Sequence, residues 1–291
     1  MKKIYFIGAG KVGTSLAYLL HQKGYQIIGI ASKNLKSAEN AVTFIGENIP
    51  ATNDIYIFVE DADIVFITTN DDAIPIIAKN IAEHCDIKKG QIFVHTSGSL
   101  PSKVFEPLEK KGGLGISIHP LQTVASPSEG IKDIMGSLFA IEGNRNAYDV
   151  AVEIVKSLDG NHFFIESDKK PLYHLAAVIS CNYLVTLINI SLKLFENVNI
   201  DSELGLNGLL KLVRGTVNNI DRVGPKHALT GPIARGDIET IRDHVTSLKK
   251  FMPELLQIYK VLGEKTVDVA LDKGSIDKET AKKLLDILDE I

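Results

Sequence analysis

Apolar positions in the first half of the chain fall into short runs separated by stretches of helical period. Ile4-Tyr5-Phe6-Ile7 predicts a first strand, and Leu16, Ala17, Leu19 and Leu20 space a helix behind it. Tyr25 to Ala31 predicts a second strand and Lys36 to Ile45 a helix, while residues 51–61 fit either a short third strand or a turn of helix. A fourth strand follows at Asp63–Thr68, then a helix capped by Asp71 or Asp72 and running to about His84. Gln91–His95 and Leu114–Ile118 predict strands five and six, and two more near Ser137–Ile141 and His162–Ile165 flank a helix from Ala147 to Leu158. From Asp168 onward only helical periods remain: Tyr173–Asn197, Leu204–Ile220, Ile238–Phe251, a helix starting at Pro253 and an amphipathic one from Asp277 to the C-terminus. The pattern predicts an α/β domain with a doubly wound, mainly parallel sheet over residues 1–167, followed by an all-α domain over 168–291.

One helical stretch raises the question of a membrane. Leu175 to Leu192 carries no charged residue and is long enough to ask it. It also carries Ser180, Asn182, Thr186, Asn189 and Ser191, which are costly in hydrocarbon. The expectation is therefore a helix buried on nearly all sides, in a core or a subunit interface, and no membrane partner.

The link between the first strand and its helix, Gly8-Ala9-Gly10-Lys11-Val12-Gly13, changes the picture from fold to function. Gly8 permits the tight turn, Gly10 lets backbone approach a pyrophosphate, and Gly13 lets helix pack on strand. The free N–H groups of the helix start, around Lys11 and Val12, face the phosphates. The strand and helix on either side make this a specific signal for a dinucleotide. The second strand ends in Ser32-Lys33-Asn34, where NAD enzymes place an acid for the ribose hydroxyls. The first acid comes only at Glu39, and a hydroxyl, an ammonium and an amide suit a 2′-phosphate. NADP is the expected cofactor, although Lys33 also fits as an ordinary solvated lysine.

Composition narrows the classes. With 291 residues, 45% hydrophobic and 23% charged, the chain suits one large or two ordinary globular domains. A net charge of −4 argues against a nucleic-acid partner. Two cysteines, Cys85 and Cys181, are too few for a disulfide framework or a zinc site, and fit a reducing cytoplasm. The first strand begins at once, so no signal peptide is expected.

Ligands of such sheets lie at the carboxyl ends of the strands. The loops there are Thr68-Thr69-Asn70-Asp71-Asp72, His95-Thr96-Ser97-Gly98-Ser99 and His119-Pro120-Leu121-Gln122. Thr69, Asn70, Thr96 and Ser97 are suited to the nicotinamide ribose and carboxamide, and Gly98 to close approach of backbone to the ring. Helix capping by the same Asp and Ser residues is the alternative. His119 stands where the reactive ring is expected; a histidine titrating near neutrality could protonate a developing alkoxide or amine. A structural histidine bonded to backbone is equally consistent. His174 and Asn182 are eight residues apart on the long helix and share a face, with Tyr173 beside them, as a donor and amide for substrate or as mutually satisfied polar residues. His95, His162 and His244 show no ligand spacing with any other His, Cys or acid, so no metal is expected. In Ala228–Asp237, Gly231-Pro232 enforces a turn, and Arg235 beside Gly236 offers a planar cation for a carboxylate or phosphate, or for Asp237.

Taken together, the Gly8–Gly13 loop, His95-Thr96-Ser97-Gly98, His119-Pro120-Leu121-Gln122-Thr123, Tyr173-His174-x-Ala176-Ala177 with Asn182-Tyr183-Leu184, and Ala228–Asp237 resemble the Rossmann-like oxidoreductases that carry the C-terminal domain of unknown function 2520. More distantly the chain is similar to pyrroline-5-carboxylate reductase, 6-phosphogluconate dehydrogenase and ketopantoate reductase. The resemblance implies a NADP-linked reductase and a homodimer built on the helical domain, and it fixes no substrate. It also implies a departure: where the hydroxyacid dehydrogenases carry a Lys-x-x-x-Asn pair, this chain has Val178 before Asn182, so their lysine has no counterpart here.

The expected activity is reduction of a small carbonyl or imino acid by NADPH, with a 2-oxo acid such as ketopantoate as first candidate. His119, His174 and Asn182 would be catalytic, with Thr230 and Arg235 holding the substrate. A hydride transfer between NADP and a deazaflavin, and a non-catalytic NADP-sensing dimer, are the alternatives.

Overall fold

The computed structural model describes residues 2–46 and 48–290. Eight strands form one sheet: β1 Lys3–Ile7, β2 Gln26–Ala31, β3 Ala51–Thr52, β4 Ile64–Ile67, β5 Ile92–His95, β6 Leu114–Pro120, β7 Leu138–Gly143 and β8 Asn161–Phe164. Their order is β3-β2-β1-β4-β5-β6-β7-β8. Every neighbouring pair is parallel except β6 and β7, which run antiparallel. Strand order reverses between β1 and β4, so the crevice expected at such a switch point opens above the Gly8 loop. The open reading of residues 51–61 resolves into a two-residue strand followed by turns. Two helical segments escaped the periodicity because they are short and Pro- or Gly-punctuated: 102–109 and Pro127–Ile134.

The helix after β1, α1 (Lys11–Gln22), shows why the glycines stand where they do. Gly8 has a φ of +117°, and a Cβ there would come within 2.6 Å of the Thr68 backbone. A Cβ at Gly13 would collide with the Thr68 hydroxyl and the Gly8 carbonyl. The Thr68 hydroxyl also donates to the Gly8 carbonyl at 2.8 Å. Around Gly10 the nearest protein atom to such a Cβ is 3.8 Å away, so that glycine leaves open space.

Alternation along the strands divides the sheet into two faces. Ile92 and Val94, Ile116 and Ile118, and Phe139 and Ile141 pack in one core with Leu16 and Leu20 of α1. The opposite face carries Phe93 against Phe105 and Leu108. At its β5–β7 end that same face is polar, with His95, Ser117, His119 and Glu142 at the alternate positions.

The chain divides into two units, Met1–Tyr183 and Leu184–Ile291, with the division inside the long helix. The second unit is helical: Ser202–Ala228, interrupted at Gly224 (φ 76°) before Pro225, then Pro232–Arg235, Ile238–Phe251, Leu256–Lys273 and Lys278–Asp289. Ile241, Val267, Leu284 and Leu288 form its core. The long helix corrects one expectation. The stretch Ser167–Asn197 is apolar and long enough to cross a membrane, but none of its most apolar window is buried within the chain. The core reading therefore fails, because the apolar residues of this helix are at most partly covered in a single chain.

Gly8→Ala should cost about 2 kcal/mol or more through backbone strain and the Thr68 clash, whereas Gly10→Ala should stay within about 0.5 kcal/mol. Urea unfolding of both variants checks the contrast; equal losses would refute it.

Candidate functional site

The carboxyl ends of β1, β2 and β4 border a cleft of about 860 Å³. Gly8, Gly10, Ser32, Lys33, Thr69 and Asn70 line it. It shares Gly10 and the Thr68–Asn70 stretch with a neighbouring cleft of about 480 Å³ lined further by Lys11, Val12, Thr96 and Ser97. All the residues expected at the cofactor, Gly13 excepted, thus border one continuous groove, and Gly13 serves instead to seat α1 on β4. Gly10 caps α1 with extended backbone and no side chain, leaving the first N–H groups of the helix facing the groove. Asp54 also lines the groove, with its carboxylate accepting the Tyr56 backbone N–H at 2.9 Å.

Ser97 departs from its expected role. Its hydroxyl donates to Asp71 Oδ2 at 2.8 Å and accepts the N–H of Leu100 at 3.0 Å. Asp71 also accepts from Ser99 at 2.9 Å, so it braces the loop after β5 rather than capping a helix. The Ser97 hydroxyl thus holds the turn of its own loop, and both Thr96 and Ser97 stay on the groove wall.

Beyond this loop lies a second cleft of about 340 Å³, lined by His119, Gln122, Tyr173, His174, Cys181 and Asn182 among others. The expected catalytic residues are therefore brought together. The helix reaches them by a different route from the one foreseen, because Val178–Asn182 is a π-helical turn between Lys170–Ala177 and Tyr183–Asn197. Such turns widen the helix locally and are frequent at functional sites. Gly98 is the hinge of the arrangement. A Cβ there would lie 2.6 Å from His174 Nδ1 and 2.8 Å from His119 Nε2. The glycine thus accommodates two imidazoles packed against its backbone, a role the sequence reading gave to the nicotinamide ring.

The protonation of this pair follows from its surroundings. His119 Nδ1 lies 2.8 Å from the Tyr173 hydroxyl. Burial, reinforced by the charge of Lys170 and by His174, pushes the His119 pKa down to about 4. Asp71 opposes the shift without cancelling it. The expectation of titration near neutrality is corrected: His119 is a neutral imidazole at pH 7. Burial pushes the Tyr173 phenol up to about 12, so it too is neutral. His174 Nδ1 is buried without a hydrogen-bond partner. His95 is fully buried, accepts the Ser97 N–H at 3.2 Å, and is held at about 3 by burial and Lys170.

Two functional-site neighbours escaped the sequence reading: Lys170 and Glu142, both buried, 3.7 Å apart. The signals were present. Glu142 is a charge inside an apolar strand, and Lys170 is a cation at a helix start, the end that repels one.

Thr230 and Arg235 belong to the second unit. Arg235 pairs with Asp237 at 3.5 Å, the alternative the sequence offered, and both side chains are partly exposed. Thr230 lines a shallow cleft with Lys211, Thr216 and Asn219. Among the described residues no group of His, Cys, Asp and Glu is placed to hold a metal.

The switch-point groove over a glycine turn defines a Rossmann-type nucleotide-binding architecture. Residues 2–120 match the model of the Rossmann-like domain, and residues 137–266 match that of the domain of unknown function DUF2520. The two matches lie in series along the chain. Among solved structures, BF3122 of Bacteroides fragilis is 24% identical with a TM-score of 0.72, over 92% of this chain and 98% of its own. TM1727 of Thermotoga maritima is 25% identical with a TM-score of 0.69, over 93% and 99%. Pyrroline carboxylate reductase of Plasmodium falciparum, solved with NADP bound, shares the fold at 15% identity and a TM-score of 0.56, over 98% of both chains. No curated protein sequence matches the chain.

His95 and His119 ionise far below the value of about 6.5 for a free imidazole. Between about pH 6.5 and 4 the unfolded chain binds protons at these sites and the folded one does not, so stability is full above 6.5 and falls as pH drops through that window. Chemical denaturation at pH 7.5, 5.5 and 4.5 should show this loss, and it should shrink in His119→Gln; a flat profile would contradict the buried neutral state.

Proposed function

We propose that this protein is a NADP-dependent oxidoreductase that reduces a small carbonyl or imino compound. The observation that carries the reading is the convergence of His119 Nε2 and His174 Nδ1 over Gly98, next to a groove built for a dinucleotide. Ser32 and Lys33 on the groove wall favour the 2′-phosphate of NADP, and the nucleotide supplies the hydride when bound. A substrate oxygen or nitrogen seated by the two imidazoles receives hydrogen bonds as negative charge grows on it. A neutral imidazole is a competent donor for that purpose, and its low pKa keeps it neutral. The proton that completes the alcohol or amine comes through His119 or His174, with the Tyr173 hydroxyl behind His119. Asn182 on the π-helical turn orients the substrate.

The substrate class stays at small oxo or imino acids, with ketopantoate the first to test. Arg235, a partly exposed guanidinium whose present partner is Asp237, is the cation we propose for a substrate carboxylate. We place the enzyme in the cytoplasm, where the two free cysteines fit. We also propose a homodimer through the long helix and its neighbours. Exposed Leu172, Leu175, Ile179, Val185 and Leu212 are apolar surface that a second copy would cover, and a monomer in sedimentation would refute this.

A paired fluorescence titration tests the cofactor assignment. NADPH should bind at least about tenfold tighter than NADH, a difference of roughly 1.4 kcal/mol, and Lys33→Ala should erase most of it. Gly98→Ala then tests the chemistry: it must displace both rings, and a shift of that size should cost about 100-fold in turnover. NADPH affinity should hold within about threefold, since a tenfold change is already 1.4 kcal/mol. Unimpaired turnover in Gly98→Ala would refute the histidine site, and retained NADPH binding without any turnover on oxo or imino acids would favour the sensor.

A further inference from the structure

Lys170 opens the helix Lys170–Ala177 and its side chain is fully buried. The position is doubly unfavourable, since the ammonium has left water and sits at the positive end of a helix dipole. A buried ion pair adds little stability over an apolar pair of the same size, so its presence beneath a site calls for another reason. Its contacts supply one. The ammonium donates to the Ser97 carbonyl at 3.1 Å and to the Ser117 hydroxyl, and it faces Glu142 Oε2 at 3.7 Å. Glu142 is itself fixed, accepting the backbone N–H and hydroxyl of Ser102, each at 2.8 Å, and the hydroxyl of Ser167.

The Ser97 carbonyl belongs to the peptide that joins Ser97 to Gly98, and Gly98 is the residue both imidazoles pack against. Three and four residues after Lys170 come Tyr173 and His174, about one helical turn on. One buried ammonium therefore links the turn that seats the histidines to the helix that supplies one of them and the hydroxyl partner of the other.

We propose that Lys170 is a positioning residue: anchored on Glu142, it clamps the Ser97–Gly98 peptide to the helix of Tyr173 and His174 and thereby sets the spacing of the His119–His174 pair. The inference rests on the reading of that pair as the proton-handling centre. The same charge also bears on the two buried histidines of the site, His95 and His119. The titratable groups facing His119 are Lys170, His174, Asp71, Tyr173 and His95. Asp71 alone favours the imidazolium, and its carboxylate also accepts from the Ser97 and Ser99 hydroxyls.

The test uses the full-length protein in two variants. Lys170→Met combined with Glu142→Gln removes both charges, so no buried carboxylate is left unpaired. Ser117→Ala removes one acceptor of the ammonium and keeps both charges. Imidazole resonances are followed by NMR through pH, alongside NADPH affinity and turnover. In the double variant the His119 midpoint should rise by at least about one unit toward 6.5. Turnover should fall about tenfold or more while NADPH affinity holds within about threefold. In Ser117→Ala the His119 and His174 signals should move and turnover should drop, with the His119 midpoint nearly unchanged. Unmoved signals for both histidines in Ser117→Ala overturn the clamp, even if the double variant does not fold. Moved signals in a protein with no turnover on any oxo or imino acid would leave the clamp standing and sink the reductase reading instead.

Discussion

The fit of the Gly8–Gly13 turn against Thr68 is the constraint on which the nucleotide groove depends. The Thr68 backbone occupies the space the missing Cβ of Gly8 leaves and its side chain that of Gly13, and its hydroxyl bonds the carbonyl of the turn. Because β1 and β4 are parallel neighbours, this contact fixes the height at which α1 begins and so where its unpaired N–H groups point. Ser32, Lys33, Thr69 and Asn70 reach the same groove because their strands end at that height. Gly10 alone among the three glycines could carry a Cβ without a clash, and it lines the groove.

A second constraint governs the other end. Polar residues at alternate positions of β5, β6 and β7 would be untenable under an apolar helix. The helix that covers them brings a buried ammonium and, one turn on, a phenol and an imidazole. The outcome is a network in which Asp71, Ser97, Ser117, Glu142 and Lys170 are each satisfied by another member or by Ser99, Ser102 and Ser167. Low local dielectric makes such a network stiff when complete and costly when broken. Its ammonium adds to burial in keeping His119 neutral.

Much of the fold was legible because it obeys local rules. Strand runs and helical periods marked most elements of the sheet, and Ile238–Phe251 fell where its periodicity put it. Pro127–Ile134 did not, since its eight residues hold only two isoleucines to signal a period. The groove residues could be read because a glycine loop has one mechanical purpose. The histidine centre was legible only in its membership. His119, His174 and Asn182 do line one cleft, but the low pKa of His119 comes from burial and from Lys170, a residue fifty positions away that no spacing connects to it. The π-helical turn was likewise invisible, because an α-helical count already placed His174 and Asn182 on a common face. The hold of the Ser97 hydroxyl on Asp71 was also beyond reach, because the two lie twenty-six residues apart.

The antiparallel pairing of β6 with β7 has a geometric result. β8 follows β7 in direction, so the chain leaves the sheet and starts its long helix below the groove, at the level of Glu142, where Ser167 bonds the carboxylate. The helix then climbs: Lys170 meets Ser117, and Tyr173, one turn higher, meets His119 two residues further along the same strand. Helix and strand act as two rulers laid side by side, with marks about 1.5 and 3.3 Å apart. Lengthening or shortening the connection at 165–169 would slide one ruler along the other, moving clamp, phenol and imidazole together. A family of such proteins could retune the depth of its chemistry by altering a loop that touches neither nucleotide nor substrate.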